Sequence, residues 1–133
     1  MFYQFEGIYI DKNISIGHFK SVITKFLSAA LQKEVEIRMR PCFFPFVEPG
    51  FEIDTRYEYT NPKTGAKEMS KRMEILGAGM IHPNVLREAG INPEDGWTGF
   101  AFGMGINRLA AVRYGIKDIR LFTNGDLRFA RSW

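Results

Sequence analysis

The stretch richest in chemical possibility is Gly99-Phe100-Ala101-Phe102-Gly103-Met104-Gly105-Ile106-Asn107-Arg108. A strand-like run passes through glycines straight into a helix-like run that carries an arginine early. A helix start leaves backbone N–H groups unpaired and bears a partial positive charge. Arg108 adds a planar, permanently charged fork. Together they make a phosphate site. The same residues also suit a helix that needs glycines only for close packing and shows Arg108 to water. Arg108 stands where G-x-G-x-x-G requires its third glycine, and no Gly-Lys-Ser/Thr follows, so neither a dinucleotide fingerprint nor a Walker loop fits.

Phe44 and Phe46 flank Pro45. In an extended chain they point to one face, where two rings either wall an apolar or aromatic ligand or join the core. Glu48 shares their parity and is placed to hold a cation or an amine. Gln4 and Glu6 are same-face neighbours on a strand. A carboxylate beside an amide suits a protonated amine, and equally a solvated strand face. Glu52 and Glu74 fall on strands expected to pair, either as metal ligands near a nucleotide or as outward hairpin charges. The two histidines read as structural, with His82 at a strand-to-helix junction before Pro83 and His18 on a helix surface. Cys42 is the single cysteine and reads as packing. No Ser-His-Asp or Cys-His arrangement can be assembled from this inventory.

These groups need elements to position them. Phe2 to Asp11 reads as a strand. Asn13 and Ser15 are helix-start residues, and Ile16, Phe19, Ile23, Phe26, Leu27, Ala30 and Leu31 then recur with three-four spacing, with Lys20, Lys25 and Lys33 outside the stripe and expected to face water. Val35, Ile37 and Met39 alternate with Glu36, Arg38 and Arg40 as a half-buried strand. Residues 41–50 carry three prolines and read as an irregular extended segment at a sheet edge. Alternation resumes from Phe51 to Tyr59, turns at Asn61-Pro62-Lys63-Thr64-Gly65, and returns to about Leu76 as a long hairpin with a charged outer half. Gly77 and Gly79 suit a close backbone approach or a bulge. Residues 84–89 form a short helix, residues 97–102 a last strand, residues 103–105 a tight crossing and residues 107–114 a helix ended by Gly115. Hairpin-paired strands with helices to one side give an α+β class with an antiparallel sheet.

The chain has 133 residues, room for one domain spanning 1–133. It is 45 % hydrophobic and 25 % charged, which excludes disordered and low-complexity classes. The net charge of +3 permits a nucleic-acid partner without demanding one. Aromatic residues reach 14 %, mostly for packing. No apolar run is long enough for a bilayer, the first residues lack a signal-peptide layout, and the lone cysteine fits a reducing, cytoplasmic setting.

Taken together, these segments resemble one family. Arg40-Pro41-Cys42-Phe43-Phe44-Pro45-Phe46-Val47-Glu48-Pro49 is similar to the "RPxxFPFxEP" signature of the bacterial-type phenylalanyl-tRNA synthetase alpha subunit. Residues 99–109 resemble its motif 3, and Phe2-Tyr3-Gln4-Phe5-Glu6-Gly7 its "FHQxEG", the second strand of motif 2. Residues 76–83 and 113–120 match in the same order. The resemblance covers essentially the whole chain and implies the C-terminal portion of a class II synthetase catalytic domain, from the end of motif 2 through motif 3.

It further implies ATP-dependent activation of phenylalanine to the adenylate and transfer to tRNA(Phe), with Mg2+ and a beta subunit as partner. By resemblance, Phe44 and Phe46 pack the substrate ring, Ala101 sets the pocket depth, and Val47, Ala78 and Gly103 lie nearby. Gln4 and Glu6 hold the α-amino group, Phe2 stacks on adenine, and Arg108 pairs with the γ-phosphate as the catalytic charge. Glu48 matches the magnesium-associated glutamate. Tyr3 replaces the usual His and Asn107 the usual acidic residue. Motif 1, the motif 2 arginine and the N-terminal coiled coil would lie upstream of the residues given, so activity of the chain alone is not expected. A non-catalytic paralogue that binds an amino acid or nucleotide is the alternative.

Overall fold

The structure, a computed structural model, describes residues 2–132. Strand β1 (Gln4–Lys12) opens the chain. Ser15 then caps helix α1 (Ile16–Leu31), accepting from the His18 N–H while the His18 ring accepts from the Ser15 N–H. This reciprocal box uses a histidine where glutamate is usual. Strands β2 (Val35–Pro41) and β3 (Val47–Thr60) follow, then the short β4 (Lys67–Met69) and β5 (Met73–Ile81). Helix α2 (Pro83–Glu88) leads to β6 (Trp97–Gly105), which runs directly into α3 (Ile106–Tyr114). A 3-10 turn at Ile119–Phe122 and helix α4 (Leu127–Ala130) end the description.

The strands form one antiparallel sheet in the order β1-β6-β5-β3-β2, with β4 paired to the outer part of β3. Each strand presents alternate residues to opposite faces. On one face, Phe100, Met104, Leu76, Ala78 and Ile53 meet the apolar stripe of α1, where Phe19, Ile23 and Leu27 are fully buried. Phe19 and Phe100 sit 5.3 Å apart, tilted, and Phe26 packs on Phe102 at 5.9 Å. Leu109 and Val112 of α3 join the same core. Among the described residues the other face carries no helix of comparable length and stays open.

Four local expectations change. Residues 41–50 do not lie extended at the sheet edge. Pro45 and Phe46 form a turn closed by the Val47 N–H donating to the Phe44 carbonyl at 3.3 Å, and β3 begins at Val47 inside the sheet. Pro49 is tolerated there because the β3–β5 register shifts between Val47 and Gly50, which removes the need for a ladder N–H. Residues 103–105 make no crossing: they stay in β6, held by β1 through Gln4–Gly105 and Glu6–Gly103 pairing. The returning hairpin strand is interrupted between Met69 and Met73 and then runs on to Ile81. Lys33, expected to face water, lies over the Tyr57 ring at 4.2 Å. Among the described residues no helix is long and apolar enough to cross a membrane.

Candidate functional site

Register builds the open face row by row. Glu6, Gly103, Gly77, Glu52 and Arg40 are successive partners across β1, β6, β5, β3 and β2. The neighbouring row on the same face is Ile8, Ala101, Gly79 and Gly50. The middle of the sheet is therefore paved with glycines and one alanine, while the flanking strands carry long side chains.

The segment between β2 and β3 folds back over part of this pavement. A β-carbon at Gly77 would lie 3.1 Å from Phe44 Cζ, and one at Gly79 would lie 2.7 Å from Val47 Cγ2 and 2.5 Å from the Pro49 carbonyl. One at Gly50 would meet the Cys42 carbonyl at 2.6 Å. Gly50 and Gly79 are required by close approach to backbone, and Gly77 is closely approached by a ring, as expected for residues 77 and 79. The segment thus sits on β3 and β5 and leaves Ala101 and Gly103 of β6 uncovered. Gly103 is instead bordered by Glu6, whose Oε1 would be 3.5 Å from an added β-carbon. The result is a trough floored by Ala101 and Gly103, with Phe44 on one bank and Glu6 and Ile8 on the other. Its banks stand on strands two spacings apart, about 10 Å.

Phe44 is half-buried, and Phe46, 54 % exposed, stacks on it at 6.0 Å with 27° between planes. The two rings come together through the turn at Pro45, not through parity along an extended chain. The Phe46 carbonyl accepts from the His82 N–H at 3.0 Å, which pins the fold-back to the end of β5. His82 itself caps α2, its Nδ1 accepting from the Asn84 N–H at 3.1 Å.

One residue placed near the pocket by resemblance faces the other side of the sheet. Ala78 pairs with Phe102 and Phe51 and belongs to the helix-covered core, so its side chain faces away from the trough. Val47, 2 % exposed, lies over Gly79, the partner of Ala101 in the open-face row, and so stays beside the trough. Ile8, 70 % exposed on the trough side, was not singled out in the sequence, although it shares the parity of Gln4 and Glu6.

At the far end of the row, Gln4 pairs with Gly105, the N-cap of α3. No side chain caps this helix and no acidic residue stands in its first turn. The Ile106 N–H donates to the Tyr3 carbonyl at 2.9 Å, and the Tyr3 N–H approaches Asn107 Oδ1 at 3.4 Å. Phe2, 73 % exposed, is thereby tethered beside the helix start. Arg108 lies one turn in. Its Nη1 donates to the Glu74 carbonyl at 3.0 Å and more weakly to Glu74 Oε1 at 3.3 Å. Glu74 pairs with Asp54 on the open face, so rings and guanidinium occupy the same side of the sheet.

Beyond the fold-back lies an ion network that alternation in the sequence encodes but that was not singled out. Asp54 accepts from Arg38 Nε and Arg40 Nε at 3.0 and 2.8 Å, and Arg40 also reaches Glu52 at 2.8 Å. Hydrogen bonds from Arg40, then Arg38, hold the Asp54 carboxyl below the usual range despite its burial. Glu52 and Glu74 thus each contact an arginine, Glu74 the more weakly.

Glu48 is exposed and its side chain has no hydrogen bond or ion pair among the described residues. No group of three or more His, Cys, Asp or Glu side chains converges there or elsewhere in them. A single carboxylate fits Mg2+ only where phosphate oxygens and water supply the other ligands, which is the usual arrangement for nucleotide-bound magnesium.

The full span of residues 1–133 matches the family model described as tRNA synthetases class II core domain (F). The chain is 48 % identical over 133 residues to the phenylalanine--tRNA ligase alpha subunit of Colwellia psychrerythraea. It is 44 % identical over the same length to those of Photobacterium profundum and Xylella fastidiosa. All of this chain is aligned in each case, and it spans 37 to 38 % of the length of those relatives.

Proposed function

This chain belongs to the class II tRNA synthetase core family, and from that premise we propose that its open sheet face is the phenylalanine and ATP end of a phenylalanine–tRNA ligase alpha subunit. The observation that carries the reading is the trough itself: aromatic rings at one bank, a carboxylate at the other, a floor without side chains beyond Cβ, and a guanidinium at a helix start on the same face.

The substrate ring lies over Ala101 against Phe44 and Phe46. Glu6 and Gln4 receive the ammonium group by charge-assisted hydrogen bonds. This orients the amino-acid carboxylate toward the α3 end, where Phe2 offers a stacking face to adenine. The carboxylate oxygen attacks the α-phosphorus, the bond to the bridging oxygen breaks, and pyrophosphate leaves with the charge. Arg108 and the α3 amides stabilise that charge on the γ-phosphate side. Glu48 would be the protein carboxylate for Mg2+, which would supply further charge neutralisation to the polyphosphate. The terminal ribose hydroxyl of tRNA(Phe) then attacks the carbonyl carbon of the adenylate and releases AMP. No nucleophile or general base on the protein is needed, since positioning and electrostatics carry adenylyl transfer. Binding of tRNA(Phe), assembly with a beta subunit and a cytoplasmic location belong to the same proposal.

The test is phenylalanine-dependent exchange of pyrophosphate into ATP, with the chain completed by the remaining alpha-subunit sequence of a relative and a beta subunit. Exchange that is lost in Arg108→Ala supports the reading. No exchange from the completed assembly would favour a non-catalytic paralogue.

A further inference from the structure

Resting on the reading of Arg108 as a polyphosphate ligand, we propose that Glu74 is its positioning residue and resident counter-ion, which the incoming polyphosphate displaces. The backbone aims Glu74 at this task. On β5, Leu76 pairs with Ile53 while Glu74 pairs with Asp54, so Ile75 is an extra residue in a bulge. Strict alternation from the inward Leu76 would turn Glu74 into the core. The bulge lets Ile75 and Leu76 both point inward, at 1 % and 2 % exposure, and returns Glu74 to the open face.

One arginine nitrogen makes two different bonds there. Nη1 donates to the Glu74 main-chain carbonyl at 3.0 Å and to its carboxylate at 3.3 Å. The carbonyl bond survives any movement of the carboxylate, so it anchors the guanidinium. The carboxylate bond is longer and joins side chains 44 % and 45 % exposed, which makes it weak and easily exchanged. Arg108 makes no other hydrogen bond among the described residues, so Nε and Nη2 are left to receive a ligand. The nearest acid in register, Asp54, is already held by Arg38 and Arg40 and does not compete.

The experiment is a calorimetric titration of the chain with inorganic tripolyphosphate, in EDTA and again with Mg2+, for the unsubstituted protein, Glu74→Gln and Arg108→Ala. Glutamine keeps the shape and leaves the main-chain anchor in place while removing the competing charge. The expected result in EDTA is that Glu74→Gln binds about two- to fivefold more tightly, the scale of an exposed ion pair, whereas Arg108→Ala loses most binding. A residue that merely supported the fold could only loosen binding. Unchanged or weaker binding by Glu74→Gln in EDTA overturns the counter-ion role while leaving the site intact. Weakening confined to the Mg2+ arm also overturns it and makes Glu74 a metal ligand. Binding that is absent, or undiminished in Arg108→Ala, overturns the polyphosphate reading beneath it.

Discussion

The ring of Phe44 rests on Gly77, so closely that a β-carbon at position 77 would stand 3.1 Å from Phe44 Cζ. That contact sets the height of the aromatic bank above the sheet. Gly77→Ala pushes the ring into the trough without touching the core. The expected outcome is a phenylalanine affinity lowered by about 1 kcal/mol or more, the order of an overpacking penalty. Thermal unfolding should move much less than in Gly79→Ala, where the added carbon meets the Pro49 carbonyl at 2.5 Å and the fold-back itself must shift.

Ala101 is the floor residue whose size matters most. It pairs with Ile8 and Gly79 and carries the single β-carbon in the uncovered part of β6. Ala101→Val fills the floor, and phenylalanine binding should fall by about 1–3 kcal/mol. Tripolyphosphate binding at Arg108 should be unchanged, and equal loss of both would count against a two-ended site.

Acid sensitivity follows from Asp54. Its folded carboxyl lies below the ordinary range because Arg40 and Arg38 donate to it. A lowered folded value means its stabilisation is complete above the unfolded carboxyl range, about pH 4, and fades as pH falls through the folded value. Asp118, held at about 2 by Arg120, is half-buried and adds to the same slope. Urea unfolding measured between pH 2 and 6 should therefore show stability falling at the acid end, with a shallower fall in Asp54→Asn. An unchanged slope in that variant would remove Asp54 from the account.

The core beneath the trough is a separate matter of packing. Phe100 is 2 % exposed, tilted against Phe19 and stacked with Tyr9 at 5.7 Å. Phe100→Ala leaves a ring-sized cavity under β6, and denaturant titration should show a loss of about 3–5 kcal/mol.

Most of the framework was legible because periodicity is local. The α1 stripe and the alternation of β2 and β3 each follow from side-chain spacing within one element. What escaped depends on how elements meet. Glycines at 77 and 79 announce a close approach, but only the sheet register says that Ala78 between them faces the helix. Parity predicted Phe44 and Phe46 together, yet a turn at Pro45 brings them there. The bulge at Ile75 shows only in the pairing of β5 with β3, the Glu74–Arg108 pair joins residues 34 apart, and nothing in any one of these segments encodes the pairing. The Arg38–Arg40–Asp54 network could have been anticipated by aligning the outward residues of β2 and β3.

On the proposed reading, the trough beside Phe44 takes a benzyl side chain. Calorimetric titration of the chain with phenylalanine and with leucine tests it most directly, with Phe44→Ala as the paired variant. The expected result is heat from phenylalanine well above that from leucine, lost in Phe44→Ala. Equal heats from the two amino acids, or a phenylalanine signal indifferent to Phe44, would contradict it.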